Sequence, residues 1–139
     1  MIRFTLSLLF ALALPACTTT WQDAPIVDGA AALPQGSVVP LGQPVALGAV
    51  VLTPMRVVED SRCPINARCI WAGRVIVETR VDGAGWRETT ELELGKAKVV
   101  RCYRLALTSA EPGRTSDAPT DPDAYRFTYD GGPTGITGG

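Results

Sequence analysis

Apolar residues and one threonine occupy alternate positions from Val75 to Val81, and the charged side chains of Glu78 and Arg80 lie between them. Successive side chains point to opposite faces of a β-strand, so this run predicts a strand with one buried face and one wet face. Residues 82–85, Asp-Gly-Ala-Gly, predict a tight turn, and a return strand is expected from Trp86 to Leu94. The stretch is therefore predicted to form a β-hairpin.

Other short apolar runs bounded by turn residues occur before and after this hairpin, at residues 45–50, 51–58, 99–108 and 125–129. No long stretch beyond the first sixteen residues shows the 3.6-residue period of an amphipathic helix. The pattern predicts an all-β fold, a small antiparallel β-sandwich of about six or seven strands, Ig-like in general style. A barrel of the same strands remains an alternative.

A cysteine-rich connection separates the predicted strand at 51–58 from the hairpin. Cys63 and Cys69 lie six positions apart, and Pro64 favours a turn directly after the first of them. In an exported protein this spacing predicts a disulfide. The competing bridge joins Cys102 to one of these two cysteines; otherwise Cys102, inside the predicted strand 99–108, is the odd thiol.

Charged residues surround the predicted bridge and permit two interpretations. Asp60, Arg62 and Arg68 either form local ion pairs that hold the loop, or present a recognition surface on a rigid scaffold. Trp71 belongs to the same candidate recognition loop, but it is expected to pack in the core or to cover the disulfide. Gly73 is expected to allow a bend as the chain enters the next strand.

The first sixteen residues predict export. Arg3 precedes an apolar run from Phe4 to Leu14, which is too short to span a bilayer and has the proportions of a signal peptide. Residues 14–17, Leu-Pro-Ala-Cys, resemble the lipobox of bacterial lipoproteins, which implies cleavage before Cys17 and acylation of that cysteine. Thr18, rather than an aspartate, then implies the outer membrane, with the protein facing the periplasm. The alternative is an ordinary signal peptide that leaves Cys17 as a free thiol.

Four segments follow from these features. Residues 1–16 are the predicted signal peptide, 17–34 the lipidated cysteine with a flexible tether, 35–130 the β-sandwich, and 131–139 a disordered glycine-rich tail.

Composition narrows the function. With 13 basic and 14 acidic residues, the chain lacks the positive field that binds nucleic acid. It contains no histidine, the commonest general base and metal ligand. We therefore predict no catalytic residue, cofactor or metal, although Cys63, Cys69, Cys102 and Met55 supply the soft ligands that suit Cu(I).

Residues 60–64, Asp-Ser-Arg-Cys-Pro, followed by Cys69 and by Trp-Ala-Gly at 71–73, resemble a family of small bacterial secreted proteins and lipoproteins. The members of this family have no characterised activity, so the resemblance implies none for this chain. Cys102 is not part of its pattern, and this favours the pairing of Cys63 with Cys69.

The functional hypothesis is a non-enzymatic, lipid-anchored cell-envelope protein. Its partners would be the membrane, through the lipid on Cys17, and an envelope protein bound or stiffened through the Cys63–Cys69 loop. The alternatives are a periplasmic metal-handling or stress lipoprotein and an inhibitor of an envelope enzyme.

Overall fold

The computed structural model describes residues 30–135. The predicted signal peptide, Cys17 and most of the predicted tether lie outside the described residues, as do residues 136–139. Within the described part the strands are β1 (Val45–Leu47), β2 (Val50–Asp60), β3 (Val75–Gly83), β4 (Trp86–Glu93), β5 (Ala97–Val100), β6 (Tyr103–Glu111) and β7 (Arg126–Pro133). One short 3-10 helix, Pro122–Ala124, precedes β7.

The strands form two antiparallel sheets that follow the order of the chain. One sheet has the order β1-β2-β3-β4 and the other the order β5-β6-β7. The predicted all-β sandwich is therefore confirmed, with seven strands in the described residues.

The core lies between the sheets and uses the alternation that the sequence shows. In β3, Val75, Val77, Thr79 and Val81 are buried, whereas the residues between them are partly exposed. The second sheet contributes Leu105, Leu107, Phe127 and Tyr129, each at most 1% exposed. The hydroxyl groups of Thr79 and Tyr129 are 3.0 Å apart and hydrogen-bonded, which satisfies two polar groups inside this apolar layer.

Isolated backbone contacts connect the sheets at both sides. Val39, on the segment before β1, exchanges two hydrogen bonds of 2.9 and 2.8 Å with Phe127 of β7. On the other side, Leu94 bridges Leu107 of β6. These contacts pair individual backbone groups where the margins of the two sheets meet.

The hairpin turn is shorter than the sequence predicts. Gly83 pairs with Trp86, so only Ala84 and Gly85 form the turn, and Asp82 lies within β3. Asp82 is fully buried, and it accepts hydrogen bonds from Arg80 and from Arg87. A turn prediction places such a carboxylate in water, whereas these two guanidinium groups compensate its charge in the core.

The prediction of one continuous strand over residues 99–108 is also wrong. Arg101 and Cys102 adopt positive φ angles of 42° and 63°, so the chain turns there and separates β5 from β6. This left-handed backbone is uncommon for residues with a side chain, and the apolar run around it gives no sequence signal of a turn.

The sequence predicts that the glycine-rich tail begins at residue 131, but β7 continues to Pro133. Gly131 pairs with Leu105, and a Cβ atom at this position would overlap the carbonyl oxygen of Arg104. The glycines that suggest disorder in the sequence therefore include one that permits close approach of two strands.

Candidate functional site

The cysteine loop, residues 61–74, connects the end of β2 to the start of β3. Its two arms stay hydrogen-bonded beyond the last strand pair: Ser61 N donates to Arg74 O over 2.9 Å, and Cys63 N donates to Ala72 O over 3.0 Å. Gly73 has a φ of +70°, and a Cβ atom there would overlap the carbonyl oxygen of Ser61. Only glycine fits this crossing of the two arms.

The disulfide between Cys63 and Cys69 is confirmed, with the two Cα atoms 5.8 Å apart. Within the ring, Ala67 N donates to Pro64 O over 3.1 Å, which is the turn that the proline favours. The competing bridge from Cys102 to a loop cysteine is therefore not formed. Cys102 is not a leftover thiol either, because no cysteine among residues 30–135 is free.

Asp60 and Arg62 form a bidentate ion pair at the base of the loop. Arg62 Nε donates to Oδ1 and a terminal nitrogen donates to Oδ2, each over 2.9 Å. The hydroxyl of Tyr125, which precedes β7, donates a third hydrogen bond to Oδ2 over 2.7 Å. The Asp60 and Arg62 side chains are only 9% and 17% exposed, so little of either is available to a partner.

The protonation equilibria reflect this arrangement. Burial acts to raise the pKa of Asp60, but the hydrogen bonds from Arg62 and Tyr125 and the charge of Arg62 outweigh it and lower the pKa. Burial raises the pKa of Tyr125, and its hydrogen bond to Asp60 adds to that rise. The pKa of Arg62 is raised by its hydrogen bond to Asp60. The carboxylate is thus held ionised and the phenol neutral.

Arg62 also reaches the second sheet. Its two terminal nitrogens donate to Ala110 O over 2.7 Å and to Pro112 O over 2.9 Å, at the end of β6. In return Arg114 donates to Arg62 O over 3.3 Å. Arg62 therefore connects a loop of the first sheet to the backbone of the second, which is a structural task rather than a recognition task.

The rim of the loop contacts the segment that follows β6. Ile65 N donates to Arg114 O over 2.9 Å, and Asn66 accepts from Ser116 N over 3.0 Å. A cleft of about 330 Å³ opens beside this contact, and Asp60, Arg114 and Tyr125 are among its lining residues. These three side chains already form hydrogen bonds within the protein. Asp117 is a further charged residue that lines the cleft.

Three large apolar side chains of the loop are exposed to solvent. Ile65 is 77% exposed, Ile70 106% and Trp71 62%. We call these three side chains, which lie on or next to the disulfide ring, the apolar trio. Arg68, between them in sequence, is exposed and makes no ion pair with any residue from 30 to 135. The expectation that Trp71 packs in the core is wrong, because Trp71 is exposed and lies outside the buried cluster.

The four predicted recognition residues therefore separate into two groups. Asp60 and Arg62 face inward and hold the loop, whereas Arg68 and Trp71 face solvent. Sequence reasoning did not identify Ile65 or Ile70, although two isoleucines inside a turn-rich segment are an available signal. It also did not identify Tyr125, which no local pattern connects to Asp60.

The described residues lack two further features, a cluster of metal ligands and a membrane-spanning helix. Residues 30–135 contain no group of three histidine, cysteine, aspartate or glutamate side chains arranged to hold a metal ion. Among the same residues, no helix has the length and hydropathy needed to cross a bilayer. The predicted lipidation site, Cys17, lies outside this range.

Comparisons of the chain with protein-family models, with curated proteins and with solved structures found no match. The resemblance to bacterial secreted proteins and lipoproteins therefore stays a prediction, and the site has to be interpreted from its own geometry.

Proposed function

We propose that this protein is a non-enzymatic, lipid-anchored component of a bacterial cell envelope, whose β-sandwich presents the cysteine loop as a binding surface. The observation that carries the proposal is the apolar trio, exposed on a loop that is otherwise fixed in place. Large apolar side chains gathered at a protein surface are typical of interaction sites.

The construction of the loop supports a binding role. A disulfide, two cross-arm hydrogen bonds and the Asp60–Arg62–Tyr125 cluster restrict the backbone before any partner arrives. A loop ordered in advance loses little conformational entropy on binding, so more of its contact energy appears as affinity. A loop with only a structural task would bury Ile70 and Trp71 rather than expose them.

The anchor is supported by the sequence of residues 1–17. An apolar run ending in Leu-Pro-Ala-Cys supplies the signal peptide and the acceptor cysteine of a lipoprotein. One acyl chain gives marginal membrane binding, whereas several give stable anchoring, so a triacylated Cys17 would keep the domain at the membrane. By resemblance to lipoprotein sorting, Thr18 directs the protein to the outer membrane, facing the periplasm.

Metabolic labelling with radioactive palmitate tests the anchor. Wild type should incorporate the label and fractionate with membranes, and Cys17→Ala should do neither. Equal labelling of the two proteins would end the lipoprotein proposal.

A photo-cross-linking amino acid tests the loop in intact cells. Benzoylphenylalanine in place of Ile70 should give an adduct with a membrane or protein component, whereas the same group in place of Val99 of β5, itself 60% exposed, should not. Indistinguishable adducts from both positions would show that the loop has no special contact.

An inhibitor of an envelope enzyme is the second candidate, and exposed Arg68 is the observation that favours it. A pinned loop with one unpaired arginine can occupy a specificity pocket, and Arg68→Ala should then abolish binding to a captured enzyme without altering the melting temperature. The copper-handling alternative loses two of its sulfur ligands, because Cys63 and Cys69 are joined in the disulfide.

A further inference from the structure

We propose that the apolar trio inserts into the interfacial layer of a phospholipid bilayer, with Arg68 bonded to a lipid phosphate, so that the anchored domain contacts the membrane at a second point. This inference rests on the proposed anchoring and specifies the binding partner of the same loop. Its basis is the chemistry and placement of four exposed side chains: Ile65, Arg68, Ile70 and Trp71.

The side chains match the layered chemistry of an interface. Trp71 combines a large apolar ring with one N–H donor, and tryptophan is enriched where acyl chains meet headgroups. Ile65 and Ile70 are 77% and 106% exposed and carry no polar group that the acyl region would have to desolvate. Moving an isoleucine side chain out of water is favourable because its whole surface is apolar.

The charge of the loop is compatible with headgroup contact. Residues 61–74 include three arginines and no acidic residue. Arg62 and Arg74 are neutralised by Asp60 and Glu59, at 2.9 and 2.6 Å, which leaves Arg68 for an external anion. A guanidinium binds phosphate in bidentate fashion, and every phospholipid headgroup supplies one.

The size of the surface favours a bilayer over a protein. A standard protein interface takes about 20–30 residues from each partner, and the trio with Arg68 supplies far fewer. A bilayer needs no matching surface, and an existing anchor raises the local concentration so that weak insertion suffices.

The length of the chain before the domain permits this contact. From Cys17 to Ala30 the chain can span at most about 45 Å when fully extended. The chain joins the sandwich where Leu33 bridges Val45, next to the first half of β2. The cysteine loop follows the other end of this 11-residue strand, about 35 Å long. The loop can therefore reach the bilayer that holds the anchor.

The test uses the purified lipidated protein in phosphatidylcholine vesicles that contain brominated lipids, which quench tryptophan by contact. Trp21→Phe removes one fluorophore, and subtracting the spectrum of Trp21→Phe/Trp71→Phe isolates Trp71. We expect Trp71 emission to shift to shorter wavelength and to be quenched more by bromine near the headgroup than by bromine near the bilayer centre. Equal quenching with and without added phosphatidylglycerol would show that insertion does not require a net negative lipid charge.

Matched variants measure the contribution of the loop. The double variant Ile65→Ser/Ile70→Ser should lower the equilibrium constant for insertion of Trp71 by at least about tenfold. The reason is that burial of even one isoleucine side chain changes such a constant by about that factor. Val99→Ser, an exposed apolar change on β5, should leave it unaltered.

Each alternative outcome has a distinct meaning. If the protein does not sediment with vesicles, the anchor and the insertion both fail. If it sediments but Trp71 stays unquenched and water-exposed, the anchor stands and the insertion is overturned. An Ile70 photo-adduct with a protein in cells, together with unquenched Trp71, would make that protein the partner of the loop.

Discussion

The hydroxyl of Tyr125 donates a 2.7 Å hydrogen bond to Asp60, joining two residues that are 65 positions apart in the chain. Asp60 ends β2 of the first sheet, and Tyr125 stands immediately before β7 of the second. The bond therefore ties the base of the cysteine loop to both sheets. Its removal should weaken the fold and the placement of the loop together.

Tyr125→Phe should lower the free energy of unfolding by about 1.5–3 kcal/mol, because it deletes a hydrogen bond to a charged acceptor. The phenylalanine keeps the ring, which stacks on Phe127 with centroids 5.7 Å apart. Urea unfolding followed by circular dichroism measures the loss. Tyr103→Phe is the matched control, since the described residues provide no hydrogen bond to its hydroxyl; an equal loss in both variants would contradict the assignment.

Arg62→Ala should destabilise the protein by about 2–4 kcal/mol, because Asp60 keeps its charge in a mostly buried place without its main partner. The Ala110 and Pro112 carbonyl groups lose a donor as well. Arg68→Ala, in the same loop, should change stability by no more than about 0.5 kcal/mol. Chemical denaturation of both variants separates the structural arginine from the exposed one, and comparable losses would refute that division.

The loss of unfolding free energy at acidic pH should depend on Asp60. Its pKa in the folded state lies below the ordinary value of 3.8, so its stabilising contribution is present above that value and is lost as pH falls through the folded-state pKa. Unfolding free energies measured from about pH 7 to pH 2 should therefore fall less steeply below pH 4 in Asp60→Asn than in wild type. Tyr125→Phe, which removes one of the bonds that lower the pKa, should lie between them. Identical losses at acidic pH in all three proteins would exclude this role.

Gly73→Ala should displace the cysteine loop, since the added Cβ meets the carbonyl oxygen of Ser61. The control is Gly48→Ala, whose φ of +60° is similar but whose Cβ would have nothing within 4 Å. Gly48→Ala should cost about 1–2 kcal/mol, the penalty of the left-handed backbone alone, and Gly73→Ala clearly more. Thermal unfolding measures the loss of stability in each variant. Equal losses in Gly73→Ala and Gly48→Ala would mean that the crossing of the two arms tolerates a side chain.

Local patterns predict most of the fold. The two-residue period of β3 and the turn residues at 82–85 predict a hairpin, because each signal depends on residues adjacent in sequence. The exact bounds of that turn differ in the structure. Cys63 and Cys69 are recognisable as a pair for the same reason. The turn at Arg101 and Cys102 escapes prediction, because residues of these two types seldom adopt positive φ angles and carry no turn preference.

The candidate site is predictable only in outline. Asp60, Arg62, Arg68 and Trp71 are conspicuous in the sequence, but their directions depend on partners far along the chain. Arg62 turns inward because Ala110 and Pro112 supply carbonyl groups that accept its hydrogen bonds. Trp71 has no such partner in the core that residues 30–135 form, and it is exposed. No pattern confined to residues 60–74 contains that information.

The strand order has a consequence for how the molecule is made. Each sheet is a continuous piece of chain in which every strand pairs with its neighbour in sequence, so the pairing within a sheet needs no distant segment. Because the chain is made from its N-terminus, strands β1 to β4 can pair first. The apolar face of that sheet then stays exposed to water until strands β5 to β7 have been made and pack against it. During this interval the half-made protein exposes a flat valine-rich surface that favours aggregation, and a holding chaperone would be most useful then.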